Sequence, residues 1–532
     1  MTMASGQETR PQWPLLWMLP SAALMGLFTA QAYAPTNVAS FAFVGPLGLW
    51  LLVSATPRTR TAAAVALAYA LPYFWRSLSY LDILGSVAVG ALALFQSLFV
   101  VGAITLYRWS REGAPSWLIP LLGAAAWTLA DLARANVGGL SLTMSNLGVA
   151  LDRYPLAIQS ADLGGVHLVT FLVAWTSAAV AEGLRQLAGP GKDRRAALAA
   201  CLPVLLAWGA NLGYGALRLN QSFPGQAMKI AVCQPAERIQ GYYGRVAMSG
   251  THHEVAAYRG LLSEPRGSDP DTGERLPPIM DPELILFPES GVSDDIVTSQ
   301  FARGIVAKLA AQYDAHIITG CHRNENGTRY NSVVHISPDG EVRGQYHKRH
   351  IVAFGEFLYF REELDWLYRH YPIRPYDLTP GTEISVFDVN GHAVAPVICF
   401  ESIFPGETRK SLRAGGELLV VHTNDGWFNS EMEAQQHARA SVFRAIEGRV
   451  DVVRAASTAY SGHIDCYGRW QVAVPRDASR AILVEPTLRP ARSVFLLVGS
   501  GPLWVLCPTL LAGWLVIRTT QRRRGSPDEA TG

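Results

Sequence analysis

The chain has 532 residues, of which 49% are hydrophobic and 17% are charged, and its formal net charge is +2 at pH 7. Soluble domains carry about 25% charged residues, so this composition excludes a disordered, collagen-like or coiled-coil chain and indicates a membrane protein. The charges are nearly balanced and form no dense basic stripe, which predicts that the protein has no nucleic-acid partner.

Eight apolar stretches are long enough, or nearly so, to cross a hydrocarbon core of ~30 Å as helices. The first is not followed by a small-residue cleavage site and a polar sequence, so we interpret it as a retained helix rather than a signal peptide. The stretches cover residues 13–34, 36–55, 62–75, 82–107, 115–132, 163–181, 196–214 and 494–517.

Basic residues concentrate in alternate connections between these stretches, and Lys and Arg are retained on the cytoplasmic side of a membrane. This bias predicts that both termini are cytoplasmic and that residues from about 220 to 490 lie on the outer face. The basic connections contain Arg10, Arg58, Arg60, Arg108, Arg111, Arg185, Lys192, Arg194, Arg195, Arg518 and Arg522 to Arg524.

Between Met228 and about Pro486, short apolar runs rich in β-branched residues alternate with helical patterns. Near-continuous hydrophobic strands are typical of sheets covered on both faces, which predicts a layered α/β domain. We predict helices at Gln300–Tyr313, Pro405–Ala414 and Met432–Arg449. The predicted strands are MKIAVCQ, ELILFPE, AHIITGC, NSVVHIS, HAVAPVICF, ELLVVHTND and VDVVRAAS.

These patterns divide the chain into three parts. We expect a membrane domain of seven helices over residues 1–220, an outer domain over 221–490, and a last helix with a basic tail over 491–532. The Pro-, Gly- and Asp-rich segment from Glu264 to Pro282 is predicted to be a mobile loop, and the tail after Arg524 to be disordered.

Three reactive side chains stand at or near strand ends in the outer domain. Glu289 follows LILFP, Lys348 lies in YHKRHIVAFGEF, and Cys399 ends VAPVIC. A cysteine on a tight strand-to-helix turn places its sulfur near free backbone N–H groups, which can bind an oxyanion and favour the thiolate. A carboxylate such as Glu289 can act as base, and Lys348 can supply a positive charge where the oxyanion forms. Taken singly, each residue also fits a structural role.

The surrounding motifs carry a family resemblance. The segments FPES, HKRHIVAFGEF, ICFES and NDGWF, followed by HARASVFRAIEGR, resemble the nitrilase superfamily. Within it, nearly the whole chain is similar to the bacterial apolipoprotein N-acyltransferases. The resemblance implies a multi-pass α-helical membrane bundle of about eight transmembrane helices with an αββα nitrilase-like sandwich. It also implies a place in the bacterial inner membrane, with the catalytic domain on the periplasmic face.

The resemblance assigns roles by position. Glu289 resembles the general base of the family, Lys348 its oxyanion-stabilising lysine and Cys399 its nucleophile. Glu356 of FGEF and Glu401 match two supporting glutamates, with structural ion pairs as the alternative interpretation.

Three aromatic residues are candidate substrate contacts. Trp427 in NDGWF matches a family aromatic near the acyl site, although it also fits a plain core role, and Tyr243 aligns with a tryptophan that contacts substrate. Phe400 stands where the family commonly has tyrosine, Ala353 where it has proline, and Ser457 to Ala459 where it has Asn-Thr-Gly.

The resemblance implies a two-step transfer through a thioester on Cys399. The acyl donor is a membrane phospholipid, and the acceptor is the α-amino group of the S-diacylglyceryl cysteine of an apolipoprotein. No cofactor and no metal are implied; the six cysteines are scattered without a Cys-x-x-Cys pair, and no third ligand accompanies His347 and His350. We expect an apolar acyl pocket built partly by Trp, Phe and Leu of the membrane helices.

Two rival functions stay open. A membrane-tethered amidase would use the same three residues with water as the final acceptor. A scaffold or transporter would not need Cys399, but intramembrane charges are few, and Asp131 and Arg134 are interpreted as a structural pair. His437, Arg444 and Glu447 can share a helix face and are likewise assigned structural hydrogen bonds and ion pairs.

Overall fold

The structure is a computed structural model. Tyr243, most of the predicted loop at 264–282 and the tail after Arg524 lie outside the residues that it describes. The described residues are 15–56, 58–188, 192–236, 250–263, 278–363, 365–369, 377–428 and 430–524.

The described residues form a helical N-terminal half, an α/β domain and a C-terminal helix. The α-helices are α1 (Leu15–Ala30), α2 (Phe41–Ala55), α3 (Thr59–Ser77), α4 (Ser86–Ser110), α5 (Leu118–Arg134), α6 (Pro155–Ile158), α7 (Ala161–Gly164), α8 (Val166–Ala188), α9 (Arg194–Asn220), α10 (Gly250–Ser263), α11 (Gln300–Tyr313), α12 (Asp365–Tyr368), α13 (Pro405–Arg413), α14 (Glu431–Gly448), α15 (Val494–Val498) and α16 (Gly501–Arg524). The β-strands are β1 (Gln226–Ala227), β2 (Ile230–Gln234), β3 (Leu284–Leu286), β4 (His316–Glu325), β5 (Thr328–Ile336), β6 (Val342–His347), β7 (Phe387–Val389), β8 (His392–Ile398), β9 (Leu418–Thr423), β10 (Asp451–Ala456), β11 (Gly462–Ile464), β12 (Trp470–Ala473), β13 (Arg480–Val484) and β14 (Thr487–Leu488).

A helix occupies each of the eight predicted apolar stretches. In the described part of the chain, four helices are long and apolar enough to cross a membrane, namely α4, α8, α9 and α16. Helices α1 and α2 are apolar but have only 16 and 15 residues. At 1.5 Å per residue, such helices fall short of a ~30 Å core. The chain is therefore a membrane protein with four candidate spans, and the count of eight stays a prediction.

The long helices turn apolar side chains outward and bury their polar ones. Leu198, Leu205 and Leu206 of α9 are 59%, 61% and 65% exposed, as expected of a face covered by lipid. Inside the bundle, Arg134 pairs with Asp131 at 2.6 Å, which confirms the predicted structural pair. These two charges therefore neutralise each other within the protein.

Two six-stranded mixed sheets build the α/β domain. Their orders are β13-β2-β3-β4-β5-β6 and β12-β11-β10-β9-β8-β7. The pairs β2–β3, β3–β4, β8–β9 and β9–β10 are parallel. Carboxyl ends of parallel strands meet at one edge of a sheet, so the segments that leave β8 and β9 lie together at one edge of the second sheet. The segment that leaves β3 in the first sheet reaches the same place, since Glu289 accepts a hydrogen bond from the backbone N–H of Asn424, the residue after β9.

The two sheets pack face to face between helices. One apolar cluster, which includes Leu286, Ile318, Val420 and Val453, fills the space between the sheets. A second cluster packs α10 and α11 on the outer face of the first sheet. The third packs α13 and α14 on the second sheet and continues into the membrane helices. This layering agrees with the predicted αββα sandwich.

Helix α14 joins the α/β domain to the helical half. Arg439 pairs with Asp152 at 2.6 Å, and Arg449, the residue after α14, pairs with Asp162 at 2.8 Å. Glu447 accepts a hydrogen bond of 2.9 Å from the backbone N–H that begins α8, and it also pairs with Arg444 at 2.7 Å. The predicted structural roles of Arg444 and Glu447 are thus confirmed.

Candidate active site

Cys399 lies on a constrained turn. It follows β8 and begins a 3-10 helix that ends at Ile403. Its φ of +50° falls in the left-handed region, which is uncommon for a residue with a side chain and is often found at functional sites. His437 holds the turn, because its Nε2 lies 2.9 Å from the Cys399 carbonyl oxygen while its Nδ1 lies 2.7 Å from Asp425 Oδ1. The backbone around the sulfur is therefore fixed.

Glu289 is held through both carboxylate oxygens. Asn331 Nδ2 donates to Oε1 at 2.7 Å, and the backbone N–H of Asn424, the residue after β9, donates to Oε2 at 2.8 Å. The loop that carries Glu289 lies directly against β4, where a Cβ at Gly320 would come within 2.7 Å of the Glu289 Cα. Only glycine permits this approach.

Lys348 lies between two carboxylates. Its Nζ is 2.9 Å from Glu356 Oε1 and 3.5 Å from Glu289 Oε1, and the residue is 1% exposed. Asn331 Nδ2 also donates to Glu356 Oε1, at 3.0 Å. The structure thus brings Glu289, Lys348 and Glu356 into one buried network in which Asn331 bridges the two acids.

Burial and charge set the protonation of these groups. Burial raises the pKa of Glu289, and the Lys348 ammonium only partly opposes this. Burial acts to lower the pKa of Lys348, but Glu356 and Glu289 outweigh it and raise that pKa. Burial raises the pKa of Cys399 well above its usual value, and Glu289 adds to the effect. Glu289 is therefore a stronger base than an exposed glutamate, and Lys348 stays charged.

The expectation that the turn favours the thiolate is wrong for the resting protein. The desolvation of a buried sulfur and the nearby carboxylates outweigh Lys348, so the resting group is a neutral thiol. When the Cys399 sulfur attacks, its proton must pass to Glu289. The raised pKa of Glu289 favours this transfer.

Glu401 supports the site without touching Lys348. Its Oε1 accepts from Tyr346 Oη at 2.8 Å and from the backbone N–H of Arg349 at 2.7 Å, and its Oε2 accepts from the backbone N–H of Ile398 at 2.7 Å. Glu401 therefore fastens the chain just after Lys348 to the chain just before Cys399.

Replacing Glu401 by glutamine is expected to loosen this connection. The amide N–H group would face the N–H of Ile398, so Glu401→Gln is expected to lower the free energy of unfolding by about 1–3 kcal/mol. Thermal unfolding in detergent checks the result, with the exposed Glu362→Gln as control. Equal stability of both variants would contradict this role.

One cavity of about 620 Å³ joins the reactive groups to the membrane helices. Glu289, Lys348 and Cys399 form part of its wall. The remainder includes apolar side chains of the helical half, namely Leu81, Ile83, Leu84, Leu92, Leu140, Leu142 and Met144. The volume lies within the range of pockets that bury a small ligand. The expected apolar pocket is present, but only the leucines of the expectation come from the helical half; the Trp and Phe residues of the wall belong to the α/β domain.

The remaining predicted residues divide between the cavity and its support. Phe400 and Trp427 both line the cavity, as does Ala353. Ser457 donates from Oγ to Asn424 Oδ1 at 2.6 Å, and it therefore supports the segment that holds Glu289. Tyr243 lies outside the described residues.

The described residues contain one group with metal-ligand geometry, Cys399, Asp425 and His437, whose candidate atoms lie within 4.8 Å of one another. Both nitrogens of His437 already have hydrogen-bond partners, Asp425 on one side and the Cys399 carbonyl on the other. This set fits the support of a nucleophile better than a metal centre.

Sequence reasoning missed several residues of this site. Asn331 begins the predicted strand NSVVHIS, Asn424 lies within ELLVVHTND, and Glu433 lies in a predicted helix. All three line the cavity. Asn331 and Asn424 gave a weak signal of a site in the sequence, because each is a polar residue at the margin of a predicted apolar strand.

Comparisons with known proteins cover most of the chain. The family model described as carbon-nitrogen hydrolase matches residues 280–482, and that of the apolipoprotein N-acyltransferase N-terminal domain matches residues 25–179. The apolipoprotein N-acyltransferase of Agrobacterium fabrum is 30% identical over 83% of this chain and 77% of its own length. That of Geobacter metallireducens is 27% identical over 95% of each chain. A solved carbon-nitrogen hydrolase of Helicobacter pylori G27 covers 49% of this chain and 89% of its own, with 16% identity and a TM-score of 0.35.

Proposed function

This chain belongs to the apolipoprotein N-acyltransferase family, and on that premise we propose that Cys399 carries the acyl chain, with Glu289 as its base and Lys348 as the oxyanion-stabilising cation. The family assigns the overall activity, which is acyl transfer in lipoprotein maturation. The observation that supports these roles is the single cavity whose wall holds all three groups together with apolar side chains of the helical half.

In the first step, the Cys399 sulfur attacks the acyl ester carbonyl of a phospholipid while its proton passes to Glu289. Lys348 and the backbone N–H of Phe400 stabilise the oxyanion. The C–O bond then breaks, and Glu289 returns the proton to the departing oxygen, which leaves as the hydroxyl of a lysophospholipid. The acyl chain remains as a thioester within the apolar part of the cavity.

In the second step, the α-amino group of the diacylglyceryl cysteine of an apolipoprotein attacks the thioester. Lys348 stabilises the second oxyanion, the C–S bond breaks as the amide forms, and Glu289 relays the proton from nitrogen to sulfur. The apolar wall slows hydrolysis because it restricts water. Phe400 and Trp427 would contact the acyl chain as part of that wall.

The direct test is mass spectrometry of the purified enzyme after incubation with a phospholipid and no acceptor. We expect an acyl mass on the peptide that contains Cys399, and its release as N-acylated product when a diacylglyceryl-cysteine peptide is added. The rival, a membrane-tethered amidase, predicts no adduct and hydrolysis of small amides.

The pH dependence of acylation follows from Glu289. Burial raises the pKa of this base, so kcat/KM for acylation is expected to rise with pH through a limb above the usual glutamate value of about 4.3. The Glu356 charge also raises this pKa, so Glu356→Gln is expected to move the limb to lower pH. Rates of adduct formation across pH check the result, and an unmoved limb would contradict it.

The helical half supports a membrane arrangement with eight crossings and both termini in the cytoplasm. Arg518 of α16 donates to the carbonyl of Trp109 at 2.7 Å, and Arg108 donates to the carbonyl of Thr56 at 3.4 Å. The ends of α2, α4 and α16 are thus close together, next to the basic connections. The contacts between α14 of the α/β domain and the helical half lie near Val166, the first residue of α8.

Reporter fusions to the C-terminus test this arrangement in the bacterial inner membrane, where the family acts. A fluorescent protein is expected to fluoresce and alkaline phosphatase to be inactive. The reverse result would place the catalytic domain in the cytoplasm. We also propose the division into residues 1–220, 221–490 and 491–532, because α9 ends at Asn220, β1 begins at Gln226 and α15 begins at Val494.

A further inference from the structure

Glu433 is a buried acid that the mechanism above does not use. It lies in the first turn of α14, its side chain is 3% exposed, and it lines the same cavity as Cys399. Its Oε1 lies 3.7 Å from His437 Nδ1. Among the residues that the structure describes, its Oε2 has no hydrogen-bond partner. A buried carboxyl oxygen without a partner is costly, so this position calls for an explanation.

Helix capping does not explain the side chain. Ser430 and Glu433 have the spacing of a capping box, in which the glutamate side chain accepts from the backbone N–H of the serine. Ser430 Oγ does accept from the backbone N–H of Glu433, at 3.5 Å. Within the described residues, however, Oε2 is unpaired and the neighbour of Oε1 is His437 rather than Ser430.

The neighbouring charges leave Glu433 as the surplus acid. Arg454 is fully buried and lies 3.6 Å from Asp425 Oδ2, and Asp425 also bonds to His437. Burial raises the pKa of Glu433 well above its usual value, and the Asp425 charge adds to this, while Arg454 and Arg476 oppose it. The Glu433 carboxyl group therefore holds its proton more tightly than an exposed glutamate does, and a cation bound beside it would favour its ionised form.

The other acids of the cavity have partners. Glu289 and Glu356 share Lys348, and Glu254 accepts from the backbone N–H of Ser293 at 2.7 Å. Aromatic residues of the same cavity suit a cation as well. Tyr80 and Phe428 line the cavity with ring centroids 5.6 Å apart, and aromatic faces attract ammonium groups.

We propose that Glu433 binds the protonated α-amino group of the acceptor and takes its proton before attack on the acyl-Cys399 thioester. This rests on the proposed function. The arriving ammonium displaces the carboxyl proton of Glu433 to solvent, and one N–H proton then passes to the carboxylate. The freed lone pair forms the C–N bond, the C–S bond breaks, and the second N–H proton reaches sulfur through Glu289.

The test separates the two half-reactions. Enzyme preloaded with an acyl chain is mixed either with a diacylglyceryl-cysteine peptide, whose amine is protonated, or with hydroxylamine, which is uncharged at neutral pH. Glu433→Gln is expected to slow discharge to the peptide by about 10- to 100-fold, the range for loss of one charged hydrogen bond. Loading and discharge to hydroxylamine are expected to change less than about twofold, because neither uses the ammonium.

Two further variants make the result decisive. Glu433→Asp keeps the carboxylate and is expected to retain most of the peptide discharge. Glu431→Gln removes a half-exposed carboxylate from the same helical turn and serves as the matched control. Three results would each overturn the proposal. In the first, Glu433→Gln slows discharge to the peptide and to hydroxylamine equally. In the second, Glu433→Asp loses as much peptide discharge as Glu433→Gln, and in the third, Glu433→Gln leaves the rate of peptide discharge unchanged. Failure of the unaltered enzyme to form an adduct would instead overturn the proposed function.

Discussion

Cys399→Ser is expected to abolish acyl transfer, with a loss of at least about 10³-fold and no acyl mass on the peptide that contains residue 399. The hydroxyl group retains the size and hydrogen bonding of the thiol, but Glu289 is too weak a base to activate it. The turn geometry depends on backbone contacts of residue 399, such as that of its carbonyl with His437, so the fold is expected to persist.

The control for this variant is Cys201→Ser, which changes a half-buried cysteine of α9 that donates to the carbonyl of Ala179. It should transfer acyl chains at the rate of the unaltered enzyme. Growth of cells that depend on the Cys399→Ser chain would contradict the catalytic role and favour a scaffold or transporter, whose function does not need a nucleophile.

Glu289→Gln is expected to slow both half-reactions, by about 10²–10⁴-fold each. Glutamine keeps the size of the side chain, and its carbonyl oxygen can still accept from Asn331 or from the Asn424 N–H. It cannot take the Cys399 proton, and because the buried thiol has a raised pKa, hardly any thiolate forms without the base. Adduct formation and peptide discharge, measured separately, check both losses.

Glu283→Gln is the matched control, since Glu283 lies just before β3 and accepts from the backbone N–H of Lys229. A Glu289→Gln enzyme that loaded normally and failed only in discharge would show that another group deprotonates Cys399. The unfolding midpoint of each variant distinguishes lost chemistry from lost structure.

Elements with strong local signals were predictable from the sequence. Helix α11 has the predicted bounds, Gln300–Tyr313, because Ser299 caps it and its apolar residues recur with helical spacing. The seven predicted strands all form, since each is a near-continuous apolar run. The other seven strands of the described residues were missed: β6 and β12 are largely exposed, β1, β7, β11 and β14 have only two or three residues, and β13 is mostly half-buried. Helix α10 was also missed, although its buried residues Val255, Tyr258 and Leu262 recur with helical spacing.

Within the site, Glu289, Lys348 and Glu356 were predicted from motifs and do lie together. The roles of Asn331, Asn424 and Glu433 depend on contacts between segments that are distant in sequence, which no local pattern reveals. The protonation state of Cys399 was predicted wrongly because it depends on burial, and burial is a property of the assembled domain.

The contacts of α14 couple the α/β domain to the helical half during unfolding. Arg439, Glu447 and Arg449 would lose buried partners if the α/β domain were cut away, and the apolar cluster shared with the helical half would be exposed to water. A truncated, soluble version of the catalytic domain is therefore expected to aggregate, and the intact enzyme to melt in one cooperative transition. On the proposed function, we expect these contacts to fix the depth of the Cys399 sulfur relative to the bilayer, so that only lipids whose ester bond lies at that depth become donors.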